Sequence, residues 1–371
     1  MSGTNEKARE IIRQYKADFE RINNEERYKW IAVRHFEQNW EIESPEFADM
    51  LARSFAKHVN LLDVGIARPL FVLVSFAQRE PETVRGLFRA LFDESLPLEL
   101  RISDFMAGVQ RFVDKMKQEY TAWKSTFQDL HAISVYLTFR YPENYYIYKY
   151  SVLKAAAPVF GIEMTADRLT TYTQLCNSIR EIAVTDTELT SMNYGRLGDD
   201  CYQDPNHRML AMDIAYFTYS LQRKKEEAQS FAAKPIIVKD FRTWLEEPSR
   251  NNGKPYDYKT VKIYIRQVED EAKKLKPGYD GNTNLFTYET AYVFAPQLEE
   301  LLKLIDKNDV QVNGAYPKVL RLYGQFLKER ELPAPSVASN TTDKPIVVSQ
   351  TSVKAYNRKT FLDEVFLTAD D

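Results

Sequence analysis

The stretch "TNEKAREIIRQYKADFERI", residues 4–22, places Ala8, Ile11, Ile12, Tyr15, Phe19 and Ile22 at spacings of three and four. That spacing lines one side of an α-helix with apolar side chains and leaves the intervening charges in solvent. Thr4 stands where an N-cap is expected. The helical period, rather than the alternation of a strand, recurs along most of the chain, so the expected fold class is mainly α.

"RYKWIAVRHFEQNW", residues 27–40, supplies a second helix. In "SPEFADMLARSFAKHV", residues 44–59, Ser44 reads as N-cap, Pro45 as first helical residue and Glu46 as an acid in the first turn, where it complements the helix dipole. Further helices are expected at about 68–80, 82–93, 98–120, 122–140, 145–157, 165–183 and 205–230, punctuated by Pro81, Pro142 and Pro158, which cannot supply the amide proton of a helix interior. No repeat of fixed period emerges. Residues 1–232 therefore read as one large, irregular helical domain.

Pro235 and the run Ile236–Val238 interrupt the period and suggest an extended connector. The period resumes in "DFRTWLEEPS", "DYKTVKIYIRQVEDEAKKL", "APQLEELLKLIDKN" and "YPKVLRLYGQFLKE", which make a small all-α module of residues 235–331. "LPAPSVASNTTDKPIVVSQTSV" has too few large apolar residues for a core, so residues 332–357 read as a flexible linker. In residues 358–371, Phe361, Leu362, Val365 and Phe366 form an apolar face that so short a helix cannot bury by itself. The expectation is that a following domain begins there.

Composition agrees with a folded helical chain. Of 371 residues 44% are hydrophobic and 13% aromatic, which excludes disorder, and 12 glycines are fewer than a doubly wound nucleotide-binding fold needs. The net charge of −3 is uneven: residues 221–280 carry 14 Lys and Arg against 10 Asp and Glu, whereas residues 1–220 carry 26 against 31. That basic excess is compatible with a nucleic-acid partner without demanding one. Two cysteines, Cys176 and Cys201, and the lack of an apolar run long enough for a bilayer lead us to expect a cytoplasmic protein with no membrane partner.

"TFLDEVFLTADD", residues 360–371, resembles the lead-in helix of McrB-type AAA+ motors, where such a stretch shortly precedes the Walker A loop. "YKWIAVRHFEQNW" and "AISVYLTFRYPENYYIYKYS" resemble segments that precede these motors in bacterial defence ATPases, and "FRTWL", "KTVKIYIRQV" and "VLRLYGQFL" are similar to parts of small helical modules beside them. The resemblance implies an N-terminal region of a modification-dependent restriction or anti-phage defence system that recognises DNA, possibly modified. It also implies a motor domain that uses GTP or ATP with magnesium, oligomerises, and works with a McrC-like nuclease subunit. G-x-x-x-x-G-K-[ST] does not occur in this chain; the nearest stretch, "SRNNGKPY", has one glycine, and Pro255 where the magnesium-binding hydroxyl would stand. The chain itself is thus not expected to be an enzyme or to hold a cofactor.

The chemistry-bearing residues point the same way. His35, His58, His131 and His207 are scattered, neither C-x-x-C nor G-x-S-x-G is present, and no metal site or nucleophile is expected. "LGDDCYQDPNHR", residues 197–208, gathers Asp199, Asp200, Asp204 and His207, either as oxygen and imidazole ligands for a cation or as a turn with Asp204 capping a helix at Pro205. "FRYPENYYIYKYSVLK", residues 139–154, interleaves tyrosines with cations. Aromatic faces beside cations stack unpaired bases, which makes Arg140, Tyr141, Tyr145, Tyr146 and Lys149 candidate DNA-binding residues, unless the rings pack on the core. Lys259, Lys262 and Arg266 recur on one helix face, with Lys254 just ahead and the apolar Val261, Ile263, Ile265 and Val268 expected on the other sides, as a basic stripe suited to a phosphate backbone or simply to solvent. The expected function is a targeting region that binds DNA; the alternative is a helical protein-interaction region that recruits a nuclease subunit or senses a phage protein.

Overall fold

A computed structural model describes residues 2–57, 60–63, 67–119, 125–276, 278–307 and 312–331. The expected linker at 332–357 and the segment 358–371 lie outside the described residues. The chain divides into two compact units, Met1–Ala233 and Lys234–Asp371. The fold is mainly α, and among the described residues there is no strand.

The first unit contains α1 (Ser2–Ala17), α2 (Phe19–Glu26), α3 (Tyr28–Asn39), α4 (Phe47–Ser54), α5 (Pro69–Arg79), α6 (Pro81–Phe92), α7 (Leu98–Glu119), α8 (Leu130–Arg140), α9 (Tyr150–Ala156), α10 (Arg168–Ala183), α11 (Thr187–Arg196) and α12 (Arg208–Ala232). The opening stripe divides between α1 and α2, with Ala8, Ile11, Ile12, Tyr15 and Ile22 buried and Phe19 packed against the core. α1 starts at Ser2, so Thr4 lies inside its first turn and is not the cap. α12 is the axis of the unit: its first half, Met209 to Thr218, is almost wholly buried, and α1, α9 and α10 pack around it.

Two local expectations are corrected. α4 begins at Phe47 with Glu46 at the N-cap position, because the strand of chain before it is held from elsewhere: the Arg85 guanidinium on α6 donates to the carbonyls of Ile42 and Ser44, the latter at 2.9 Å. α11 was not foreseen, since "TELTSMNYGR" buries only Leu189, Asn193 and Arg196; Asp186 caps it by accepting from Leu189 N at 3.0 Å.

Charged side chains fasten this core. Asp213 on α12, buried, accepts from Tyr15 Oη at 2.7 Å and from Lys29 Nζ at 2.7 Å, with Arg196 Nη1 3.7 Å away. Lys29 also pairs with Glu26 at 2.8 Å. Burial alone would raise the Asp213 carboxyl, but Lys29 and Arg196 outweigh it and hold the group below the usual carboxylate range. Burial would likewise lower Lys29, yet Asp213 and Glu26 leave it raised. Four helices distant in sequence, α1, α3, α11 and α12, are joined at this one point.

The second unit is built from α13 (Ile236–Leu245), α14 (Tyr258–Asp270), α15 (Ala291–Lys307) and α16 (Tyr316–Glu331), with three short 3-10 turns. Tyr323 is its hub: its ring meets Phe241, Phe286 and Phe294 edge-on at 5.3, 5.2 and 5.1 Å, and its hydroxyl donates to Tyr288 O at 3.0 Å. The connector expected at Ile236–Val238 is the first turn of α13. Ile237, Val238, Phe241, Trp244 and Leu245 share one buried helical face, and Pro235 sits just ahead, where its missing amide proton costs nothing.

Candidate nucleic-acid interface

Asp257 starts α14 as an N-cap, accepting from the amides of Lys259 at 2.9 Å and Thr260 at 3.1 Å. The Thr260 hydroxyl and amide hold its carboxyl below the usual range. α14 buries Val261, Tyr264, Ile265, Gln267 and Val268. Opposite, Tyr258, Lys259, Lys262, Ile263 and Arg266 are exposed. Ile263, at 48% exposure, thus lies on the basic side and not on the apolar side expected for it. Residues 259, 262, 263 and 266 fall at i, i+3, i+4 and i+7, so the helical period itself places Ile263 there. Lys254 is exposed in the preceding turn, which Asn252 and Gly253 make possible by taking positive φ values of 52° and 83°.

The acidic residues Glu269, Asp270 and Glu271 that follow pair with lysines outside this stripe. Glu269 pairs with Lys234, Asp270 with Lys273, and Glu271 with Lys274 at 2.6 Å. Among the described residues no carboxylate lies within ion-pair distance of Lys254, Lys259 or Arg266. Lys318 on α16 adds a cation 5.2 Å from the centre of the Tyr256 ring, and Arg242 on α13 lies 5.8 Å from that of Tyr258. Lys318 comes from a helix far along the chain, so no local spacing could have revealed it.

The tyrosine-rich stretch divides between core and surface. Residues 145–149 belong to neither helix nor strand and lead into α9, with Tyr146, Ile147 and Tyr148 buried in succession. Tyr141 is half-buried and donates to Phe92 O at 2.9 Å. Tyr145 donates to Glu94 and accepts from Arg101, each at 2.9 Å. Tyr146 is 4% exposed, donates to Asn177 Oδ1 at 2.7 Å, and has Arg208 3.9 Å above its ring, so neither face is free for a base. The outward residues are Arg140, Lys149 and Tyr150. Lys149 Nζ lies 5.3 and 5.8 Å from the rings of Tyr216 and Tyr219 on α12, and Arg168 on α10 lies 4.6 Å from the Tyr150 ring, which is 45% exposed. Arg140 to Lys149 belong to the first unit, Lys254 to Arg266 to the second.

The acidic cluster at 197–208 is a helix lead-in. α12 starts at Arg208, not at Pro205. Its N-cap position is His207 and not Asp204, which instead reaches forward so that its buried carboxylate accepts from Met209 N at 3.0 Å and Leu210 N at 2.9 Å. Asp200 pairs with Arg27 at 2.5 Å. No group of three His, Cys, Asp or Glu that could hold a metal ion occurs among the described residues. Burial pushes Cys176 up to about 12, which keeps it a thiol.

Burial also raises Asp204 to about 6, against the pull of the two amides. A carboxyl whose folded pKa exceeds its unfolded value of about 3.9 binds its proton more tightly in the folded chain. Its contribution to stability is therefore complete below about pH 4 and lost as pH rises through about 6. Asp204→Asn, measured by chemical denaturation from pH 4 to 7, is expected to remove that slope while retaining one acceptor oxygen.

No protein-family model, no curated protein and no solved structure matches this chain.

Proposed function

We propose that this chain is the targeting region of a McrB-like, nucleotide-driven restriction or defence machine and that its ligand is DNA. The observation that carries the reading is the α14 stripe: Lys254, Lys259, Lys262 and Arg266 all face solvent along one side of the module. Such a row fixes a phosphate backbone without reading bases. In the first unit, Tyr150 with Arg168, and Lys149 beside Tyr216 and Tyr219, offer a second contact of stacking type. The stacking role first expected of Tyr141, Tyr145 and Tyr146 passes to Tyr150. Nucleotide hydrolysis and a McrC-like nuclease subunit belong to the proposed machine and are assigned to no residue of this chain.

Tyr150→Ala tests the stacking contact. Fluorescence anisotropy should show single-stranded DNA binding weakened about tenfold, the effect of losing one base stack, with duplex binding changed little. Equal loss on both substrates would remove stacking from the reading.

A second reading, docking of a protein partner, is favoured by the outer surface of α15. Tyr292 is 88% exposed beside a groove of about 290 Å³ lined by Phe294, Leu298 and Gly324. Exposed aromatics next to an apolar groove are typical of protein contacts. A chain that captures a protein through this groove and binds no DNA would replace the first reading. No helix among the described residues is long and apolar enough to cross a membrane.

A further inference from the structure

Among the buried nitrogen atoms of the first unit without a hydrogen-bond partner are Nε of Arg180 on α10, and Nδ1 of His207 and Nε of Arg208 at the start of α12. Arg208 draws these elements together. Its guanidinium lies over the Tyr146 ring, its Nη1 is 3.5 Å from Asn177 Oδ1, and Tyr146 donates to that same oxygen at 2.7 Å. Asn177 and Arg180 are one turn apart on α10 and share a face. His207 directly precedes Arg208, is 8% exposed, and meets the Tyr194 ring at 4.9 Å. Burial and then the Arg180 charge hold His207 below its usual pKa.

Arg208 reaches the face of α10 that carries Asn177 and Arg180. Among the described residues no carboxylate is within ion-pair distance of Arg180 or Arg208. The carboxylates in this region are otherwise engaged: Asp204 by the Met209 and Leu210 amides, Glu143 by the Tyr202 hydroxyl and the Asn206 amide. Arg208 Nη2 donates to Asn144 O at 2.9 Å, which satisfies a donor but neutralises nothing. Buried N–H groups are nearly always paired, and paired arginines are how proteins grip phosphate.

We propose that Arg180, His207 and Arg208, with Asn177, form a binding site for a phosphate group. The imidazole tautomer with its proton on Nδ1 and the two guanidinium groups supply the donors. The phosphate can come from a nucleic-acid backbone or from a free nucleotide. The inference does not rest on the α14 stripe, which belongs to the other unit.

Calorimetric titration of the whole chain with inorganic phosphate at fixed ionic strength tests the site. Saturable binding is expected, accompanied by a phosphate-dependent rise in the melting temperature of the unaltered chain. It should weaken about tenfold in Arg180→Gln and in Arg208→Gln, the scale of one charge-assisted contact. Arg111→Gln, on the exposed side of α7, should bind as the unaltered chain does. Because Arg208 also covers Tyr146, Arg180→Gln is the decisive variant if Arg208→Gln misfolds. No saturable binding by the folded chain, undiminished binding in Arg180→Gln, or equal loss in Arg111→Gln would overturn the proposal. Displacement of phosphate by a single-stranded oligonucleotide assigns the site to a nucleic-acid backbone; displacement by a nucleoside monophosphate alone assigns it to a small nucleotide. A chain that binds phosphate here but no DNA keeps this site and refutes the DNA reading.

Discussion

Asp213→Ala is expected to destabilise the first unit by about 3–5 kcal/mol, because it leaves the buried Lys29 ammonium and Arg196 guanidinium without their shared carboxylate. For a unit of this size that loss lowers the melting temperature by about 10 °C, readable by circular dichroism. Desolvation sets the sign: the ion pairs are worth little against a well-packed apolar core, but half a pair is worse than none. The triple change Lys29→Met, Arg196→Leu and Asp213→Leu, which removes all three buried charges together, should therefore recover much of the loss, and failure to recover any would show that packing around Asp213, not charge, sets the cost. The pH dependence follows from the depressed carboxyl. Its contribution is complete above the unfolded value of about 4 and is lost as pH falls through the lower folded pKa.

Lys259→Gln, Lys262→Gln and Arg266→Gln together are expected to weaken DNA binding about 10²–10³-fold at low salt. Each phosphate contact releases about 0.9 of a counterion, so the slope of log affinity against log salt should also become shallower by about 3. All three side chains are on the solvent side of α14, and the core residues Val261, Tyr264, Ile265 and Val268 are untouched. Circular dichroism should accordingly show an unchanged fold, which separates loss of binding from loss of structure. Binding that falls equally for all sequences would mark the stripe as a positioning contact rather than a base reader.

Much of this fold is legible in the chain. Where apolar residues keep a period of three to four, as in α1, α5, α6, α7 and α10, the helices stand within a few residues of their expected places. α14 was legible for the same reason, because the period fixes which side chains share its outer face. Misplacing Ile263 came from treating it as apolar before treating it as helical. Residues 145–149 resisted reading because the segment follows neither the helical nor the strand period: Tyr146, Ile147 and Tyr148 are buried in succession and Tyr150 is not.

Other features left almost no local signal. Lys29 and Arg196 look like ordinary surface cations, and only the partner Asp213, a lone acid within the apolar run "MLAMDIAYF", hints at a buried charge. The pairing spans 184 residues between Lys29 and Asp213, a distance over which spacing carries no information. The Arg180 and Arg208 cluster is illegible for the same reason, since it depends on α10 and the start of α12 meeting beside Tyr146.

The most direct test of the DNA reading is the affinity of the unaltered chain for a 20-base-pair duplex, measured across a salt series. Four phosphate contacts by Lys254, Lys259, Lys262 and Arg266 give an expected slope of log affinity against log salt of about −3 to −4. Absence of binding at low salt, or an affinity indifferent to salt, would contradict it.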